Sequence, residues 1–585
     1  MKKVTSKYFI TFVMTTGILV YLMLISAPNQ RYENIEKDFL DYYFKANPIN
    51  STWIGIHTYD GLLPDYDTHQ ISHRIHELES FNQRCQTIDE AALDSRLRID
   101  YAILCRAIDE LLFQLEELRE YSWNPLQYTY LLGFAYESLT AYDFAPAAVR
   151  RRNLESRLAA TPGFLAQAMT HLKSMPEPHV QTARRQVQGL IHSLERGFPN
   201  LCAQAGEFDE QDWQDSLDRS VNALNDFLKF LDAYAQEGQF KSFRLGPELY
   251  TKKLHYTINE NLNSDEILSR AEAELRQIQG DMITIAEPLY HDWFGEKPDM
   301  SSHQAQLNMV RRVLDRIAQD HPEPDAILPT VRSTIDELTA FIQEKGILTL
   351  DASKPLEIRK TPEYQRGISI ASLQTPGPLE KNLNTYYNVS PLPEDWDETQ
   401  IQSFLREYNT IALKILSIHE ALPGHYVQLY YAGRHPSLVR SIFSSGVMIE
   451  GWAHYAEGMM IEAGFGEGDP RYALIEKKWK LRGIANAIID QKTHAGTLTE
   501  EEALDLMIQE TFQEEAEAKG KWRRAQLTAT QLSTYFAGNM LMWDLRRDYE
   551  EIMGPEFSLR AFHENLLAQG SLPVRFLRQI MLEEQ

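Results

Sequence analysis

Apolar residues return at every third or fourth position through most of this chain, and that stride allows little except helices packed on helices. The clearest run lies between Leu93 and Tyr121, where Leu97, Tyr101, Leu104, Ile108, Leu111, Leu112 and Leu115 share one helical stripe. The same period predicts helices over 147–173, 178–197, 208–236, 264–291, 303–319, 328–345, 397–421, 440–463, 469–491, 499–515, 530–551 and 556–568. Turn formers are scarce. The 29 Gly and 26 Pro make up about 9% of the chain, against roughly 12% in average proteins. Ser264, Asp265 and Glu266 suit a helix start, and Thr499 with Glu502 has the spacing of a capping box. These stripes are expected to form a packed core and to carry no chemistry of their own.

The helical period fails only between about 352 and 393. There Thr375-Pro376-Gly377-Pro378 and Thr385-Tyr386-Tyr387-Asn388-Val389 favour turns and strands, predicting a small ribbon over 367–374 and 384–390. The expected fold class is therefore mostly α, with an N-terminal helical half over 31–350 and a C-terminal half over 351–585 that carries the ribbon.

The first 30 residues stand apart. Lys2, Lys3 and Lys7 precede an uncharged stretch from Tyr8 to Ser26. At 1.5 Å per residue such a stretch spans about 28 Å, close to the hydrocarbon thickness of a bilayer. The basic flank holds that end in the cytoplasm and sends the remainder across the membrane. Residues 8–26 are read as an uncleaved anchor or a cleaved signal peptide. Either places the rest outside the cytoplasm, in the periplasm or at the cell surface, with membrane contact through this segment only. A formal net charge of −25 excludes a nucleic-acid partner, which would need a basic face. Three cysteines, Cys85, Cys105 and Cys202, are too few for a disulfide scaffold or a cysteine zinc site. One bridge between Cys85 and Cys105 is left open.

Chemistry concentrates in Ser417-Ile418-His419-Glu420-Ala421-Leu422-Pro423-Gly424-His425-Tyr426 and in Ile449-Glu450-Gly451-Trp452-Ala453-His454-Tyr455-Ala456-Glu457. Two neutral imidazoles and a carboxylate form a ligand set for catalytic zinc that leaves one position for water. Zinc lowers the pKa of such a water to about 7, and a second carboxylate beside it can act as base. Glu420 directly follows the first candidate ligand, as the base does in His-Glu-x-x-His helices. The histidines here are six positions apart rather than four, which on an unbroken helix sets them about 240° around the axis and about 9 Å along it. A shared metal therefore requires a kink. Pro423 ends the helix and Gly424 permits the unusual dihedrals a reversal needs.

His-Glu-x-x-Pro-Gly-His followed by Glu-Gly-Trp-Ala-x-Tyr-x-Glu resembles the bacterial domain-of-unknown-function 885 family, regarded as zinc-peptidase-like. Tyr386-Tyr387, Asp490-x-x-x-His494, Gln531-x-x-x-Tyr535-x-x-Gly538 and Gly570-Ser571-Leu572-Pro573 extend the likeness over most of the chain. The resemblance implies a large two-lobed helical fold around a deep cleft, akin to thimet oligopeptidase, carboxypeptidase Taq and angiotensin-converting enzyme. It implies Zn2+ held by His419, His425 and Glu450, with Glu420 as the catalytic base. Tyr426 stands where many members have a second consecutive histidine, and His454 where they usually have an apolar residue. From the residues themselves, Tyr535 is a candidate donor to an oxyanion, and His454, Glu457, Asp490 and His494 are candidates to support the ligands. Arg482 is expected on a solvated face.

The expected activity is that of an exported zinc metallohydrolase, first of all a peptidase acting on short peptides. A zinc-dependent esterase or amidase on a non-peptide or cell-wall substrate is the alternative within the same chemistry. A non-catalytic envelope binding protein is the alternative outside it. The sequence carries no information on oligomeric state.

Overall fold

In the computed structural model, residues 28–354, 356–361, 371–393 and 396–583 are described. The proposed anchor at 8–26 lies outside them, and no helix among the described residues is long and apolar enough to cross a membrane. The described residues are mostly helical, with one three-stranded sheet among them. The protein divides into two compact units, one comprising the chain up to Met175 with Thr182–Gln239 and Ser437–Phe443, the other Pro176–Gln181, Phe240–Pro436 and Ser444 onward. The division thus falls near residue 240 rather than near 350. Within the second unit the Ser264–Phe294 helix is joined to later helices by Lys480–Glu274 at 2.6 Å, Lys492–Glu272 at 2.7 Å and Arg270–Asp544 at 2.9 Å.

In the first unit the predicted stripes become buried helix faces. Ala147–His171 and Glu210–Glu237 pack on one another and bury Leu154, Leu158, Leu224 and Phe227, and Ser220 Oγ donates to the Leu158 carbonyl at 2.8 Å. Arg440 closes the returning segment with a buried 2.6 Å ion pair to Asp100. Cys85 and Cys105 are free thiols whose side chains are in hydrogen-bond contact.

Several boundaries differ from the sequence expectation for local reasons. The long helix predicted over 397–421 is two helices, Glu398–Glu407 and Thr410–Glu420, because the Asn409 side chain caps the Ala412 N–H at 3.1 Å and so starts a new helix. Asn263, not Ser264, caps the Ser264–Phe294 helix, in a reciprocal box with Glu266. Thr499 and Glu502 form the predicted capping box.

The irregular region folds as β1 (Leu356–Lys360), β2 (Ala371–Gln374) and β3 (Thr385–Val389) in the order β1-β3-β2. β3 pairs with β1 in parallel and with β2 antiparallel, setting Leu373 opposite Tyr387. Part of the predicted first strand, 367–370, lies outside the described residues. β2 is an edge strand, and its Leu373 backbone reaches the Glu420 carboxylate.

One buried carboxyl makes stability depend on pH. Glu260 accepts from the Arg575 backbone N–H at 2.9 Å, yet burial outweighs that bond and pushes its pKa from 4.5 up to about 7. Between those values the folded state holds a proton that the unfolded state releases, so this group's contribution is fully present below 4.5 and is lost as pH rises through 7. We predict that the stability of Glu260→Gln relative to wild type, measured by urea unfolding, grows by roughly 2 kcal/mol between pH 5 and pH 8. A difference independent of pH would contradict the assignment.

Candidate metal centre

The site begins where a helix stops. Thr410–Glu420 buries Ile411, Ile415 and Ile418 and ends with Glu420. The Leu422–Pro423 peptide is cis, and a new helix, His425–Ala432, starts after Gly424. Gly424 N–H donates to the Ile418 carbonyl at 3.0 Å, folding the turn back on the helix it has just left. A Cβ at Gly424 would collide with the backbone oxygens of Ile418 and His419, so only glycine fits. Trp452 Nε1 donates to the Pro423 carbonyl at 2.9 Å and joins this turn to the Gly446–Glu462 helix. The reversal brings the His419 and His425 rings to 4.7 Å between centroids at 85°.

Glu450, on the Gly446–Glu462 helix, faces both rings. Its Oε2 lies 3.8 Å from His419 Nε2 and 3.6 Å from His425 Nε2. Those separations are too long for hydrogen bonds. They are close to the roughly 3.4 Å expected between donors that share a tetrahedral ion at 2.0–2.1 Å. Ligand atoms of His419, His425 and Glu450 all lie within 4.8 Å of one another.

A second triplet, His419, His454 and Glu457, meets the same distance limit, but its contacts are already hydrogen bonds. Glu457 Oε1 is 2.6 Å from His419 Nδ1 and 3.2 Å from His454 Nδ1. Accepting the Nδ1 proton of His419 fixes that ring with its Nε2 toward Glu450, the usual way a carboxylate orients a metal-binding imidazole. Glu457 is buried. Burial would raise its pKa, but His454 and His419 more than reverse this and hold it at about 2.

The cluster's electrostatics ask for positive charge. Burial lowers the pKa of His419, but Glu457, then Glu420 and Glu450, raise it to about 9. His425 is pushed well below its ordinary value by burial and by the other two imidazoles, which leaves it neutral with a free lone pair. Its Nδ1 is buried without a partner among the described residues. Glu420 is pushed up to about 7 by burial. His419 and the Leu373 N–H oppose that shift, and Glu450 adds to it. The donor set fits a divalent cation: one buried and two partly buried carboxyl groups surround the imidazoles, two of which turn Nε2 toward Glu450.

Tyr535 stands at the rim of this cluster. Its ring meets His454 at 5.6 Å, and its hydroxyl accepts from Arg524 at 2.9 Å and Gln531 at 3.3 Å. Burial first, then Glu450, raises its pKa, so it stays a neutral donor. A backbone contact sets its position. A Cβ added to Gly451 would lie 2.5 Å from the Gly538 carbonyl carbon, so the Gly446–Glu462 and Ser533–Met553 helices touch main chain to main chain.

Asp490 and His494 lie away from these ligands. Asp490 accepts from Thr530 N–H at 3.0 Å and from Ser533 Oγ at 2.6 Å, anchoring the start of the helix that carries Tyr535. His494 is held by the Ala525 carbonyl at 2.7 Å and faces Tyr250. Both brace the scaffold and neither touches a ligand. Tyr426 points elsewhere, donating to the Lys354 carbonyl. Arg482 is not solvated but paired, with Glu517 at 2.6 Å and Glu407 at 3.3 Å. Sequence reasoning missed Arg524 and the Leu373 N–H; neither sits in a recognisable motif.

A family model for bacterial proteins of unknown function, DUF885, matches residues 48–581. The chain belongs to that family. One solved structure similar to this DUF885 chain is described as "a putative lipoprotein of unknown function" from Shewanella oneidensis. It is 33% identical, with a TM-score of 0.83 over 94% of this chain and 99% of that one. A second, the "putative lipoprotein" from Colwellia psychrerythraea, is 17% identical and shares the fold, with a TM-score of 0.77 over 95% and 99% of the two chains. No curated protein matches the DUF885 chain.

The turn at residue 424 can be tested directly. Gly424→Ala should lower stability by about 2 kcal/mol or more, as overpacking against backbone does. Gly433→Ala, where a Cβ meets nothing closer than the Leu429 carbonyl at 3.4 Å, is the control and should stay within about 1 kcal/mol. Equal effects in urea unfolding would count against the steric argument.

Proposed function

We propose that this protein is an exported zinc-dependent hydrolase, a peptidase acting on short peptides. The observation that carries the reading is that His419 Nε2 and His425 Nε2 lie 3.8 and 3.6 Å from Glu450 Oε2, with ligand atoms of the three residues all within 4.8 Å of one another and Glu420 beside them. The resemblance of the His-Glu-x-x-Pro-Gly-His segment to zinc-peptidase-like proteins supports the same reading. Export is supported by the lysine-flanked apolar segment at 8–26 and by the lipoprotein descriptions of both similar structures.

A divalent ion held by His419, His425 and Glu450 supplies Lewis-acid polarisation of a carbonyl and makes a nearby water acidic at neutral pH. The protein's own groups do the rest. Glu457 keeps the His419 proton on Nδ1 and the ring in place. Glu420, next to His419 in the chain, takes a proton from the attacking water and returns it to the leaving amine. Tyr535, held by Arg524 and Gln531, donates its hydroxyl proton to the negative charge that develops on the scissile carbonyl oxygen. The surrounding burial keeps bulk water from screening these interactions.

The test is elemental analysis with peptide turnover on the full-length protein. Wild type should carry about one zinc per chain. Glu420→Gln should keep the metal and lose activity by at least roughly 100-fold, and His419→Ala should lose both. A Glu420→Gln protein that retains zinc and full turnover would sink the mechanism. Hydrolysis of esters but of no peptide would move the reading to the esterase alternative.

A further inference from the structure

Two cations beside the metal centre have no close anion among the described residues, in a chain whose acidic residues outnumber its basic ones by 25. Lys521 and Arg524 lie three residues apart on the Glu515–Leu527 helix. Neighbouring buried cations are paired: Lys478 with Glu407 at 2.7 Å, and Arg482 with Glu517 at 2.6 Å. Lys521 is different. Its side chain is only 10% exposed, yet its single ionic partner among the described residues is Glu517 at 4.0 Å, beyond hydrogen-bond range, and Glu517 is already engaged by Arg482. Among the described residues Arg524 has only neutral acceptors, Gln531 Oε1 at 2.7 Å and the Tyr535 hydroxyl.

These groups connect to the centre through contacts already described. Arg524 holds Tyr535, Tyr535 packs on His454, and a Cβ built on Gly483, the neighbour of Arg482, would lie 3.8 Å from the His454 ring and 3.9 Å from the Tyr535 Cβ. Glu450 acts electrostatically on both Lys521 and Tyr535. Burial, with Arg482 and Arg524 nearby, destabilises the charged ammonium and pulls Lys521 down to about 8. An arriving anion would relieve that penalty, and the most direct anion on a short peptide is a carboxylate.

We propose that Lys521, with Arg524 next to it, is the docking point for a substrate carboxylate, so that the centre cleaves peptides close to a free C-terminus. The proposal deepens the peptidase reading and rests on it for what happens after binding. The carboxylate has two possible sources, the C-terminus itself and an acidic side chain.

The experiment measures binding, independently of turnover, by titration calorimetry on zinc-supplemented full-length Glu420→Gln protein. Three probes distinguish the sources: a tripeptide with a free C-terminus, the same peptide as its C-terminal amide, and an amidated tripeptide with a central Asp. We expect the free acid to bind at least tenfold more tightly than its amide. Lys521→Met should abolish the difference and Lys521→Arg should restore most of it. Comparable gain from the Asp-containing amide would assign the site to side-chain carboxylates, still at Lys521. Equal affinities of acid and amide for the Glu420→Gln protein, no binding of either, or a preference that survives Lys521→Met would overturn the proposal. If Lys521→Met does not fold, the acid–amide comparison in the Glu420→Gln protein decides alone. Peptide binding of this pattern without hydrolysis by wild type would leave the docking site standing and remove the peptidase reading.

Discussion

The main chain turns back at residue 424 because nothing projects from that Cα. With the Ile418 and His419 carbonyls occupying the space a methyl group would need, Gly424 can donate to Ile418 and start the His425–Ala432 helix beneath the end of the preceding one. Six residues that would put two imidazoles on different sides of a straight helix instead bring their rings to 4.7 Å. The indole of Trp452 holds the Pro423 carbonyl, which couples the turn to the helix that supplies Glu450, Glu457 and His454. The same helix meets the Tyr535 helix through Gly451 and Gly538. Three glycines thus set the spacing of the centre, because each allows backbone to approach where a side chain would separate it.

Electrostatics reinforce the geometry. Glu420, Glu450 and Glu457 converge on His419, His425 and His454, with burial raising the cost of any unbalanced charge. Each carboxyl has a different role because its surroundings differ. Glu457 is hydrogen-bonded by two imidazoles and is held strongly acidic, Glu450 faces two ring nitrogens at non-bonding distance, and Glu420 sits near neutrality under a strand N–H. Environments that separate the behaviour of neighbouring carboxyls in this way are typical of acid–base sites.

Much of this was legible in the sequence, and what escaped it has identifiable causes. The apolar stride of Leu97 through Leu115 and of Ser264–Phe294 was sufficient for helices, since burial of one face follows from the 3.6-residue period. The need for a break at Pro423-Gly424 followed from the angle between His419 and His425, and Glu457 followed from sharing a face with Glu450. The Glu515–Leu527 helix escaped because Glu-Ala-Glu-Ala-Lys-Gly-Lys-Trp-Arg-Arg has no strong apolar stripe; its burial comes from Ala518, Trp522 and Ala525. β1 escaped because Leu356-Glu357-Ile358-Arg359-Lys360 reads as a polar loop until it pairs with β3. Asp490 and His494 became candidates as a matching piece of the family pattern, although their i, i+4 spacing also suits a helix brace. In the fold that spacing serves to anchor Thr530, Ser533 and the Ala525 carbonyl.

Zinc K-edge absorption spectroscopy on the zinc-loaded full-length protein bears most directly on the centre. The account predicts nitrogen and oxygen ligands at about 2.0–2.1 Å with the multiple-scattering pattern of two imidazoles, falling to one in His425→Ala. A spectrum without imidazole scattering, or one that His425→Ala leaves unchanged, would contradict it.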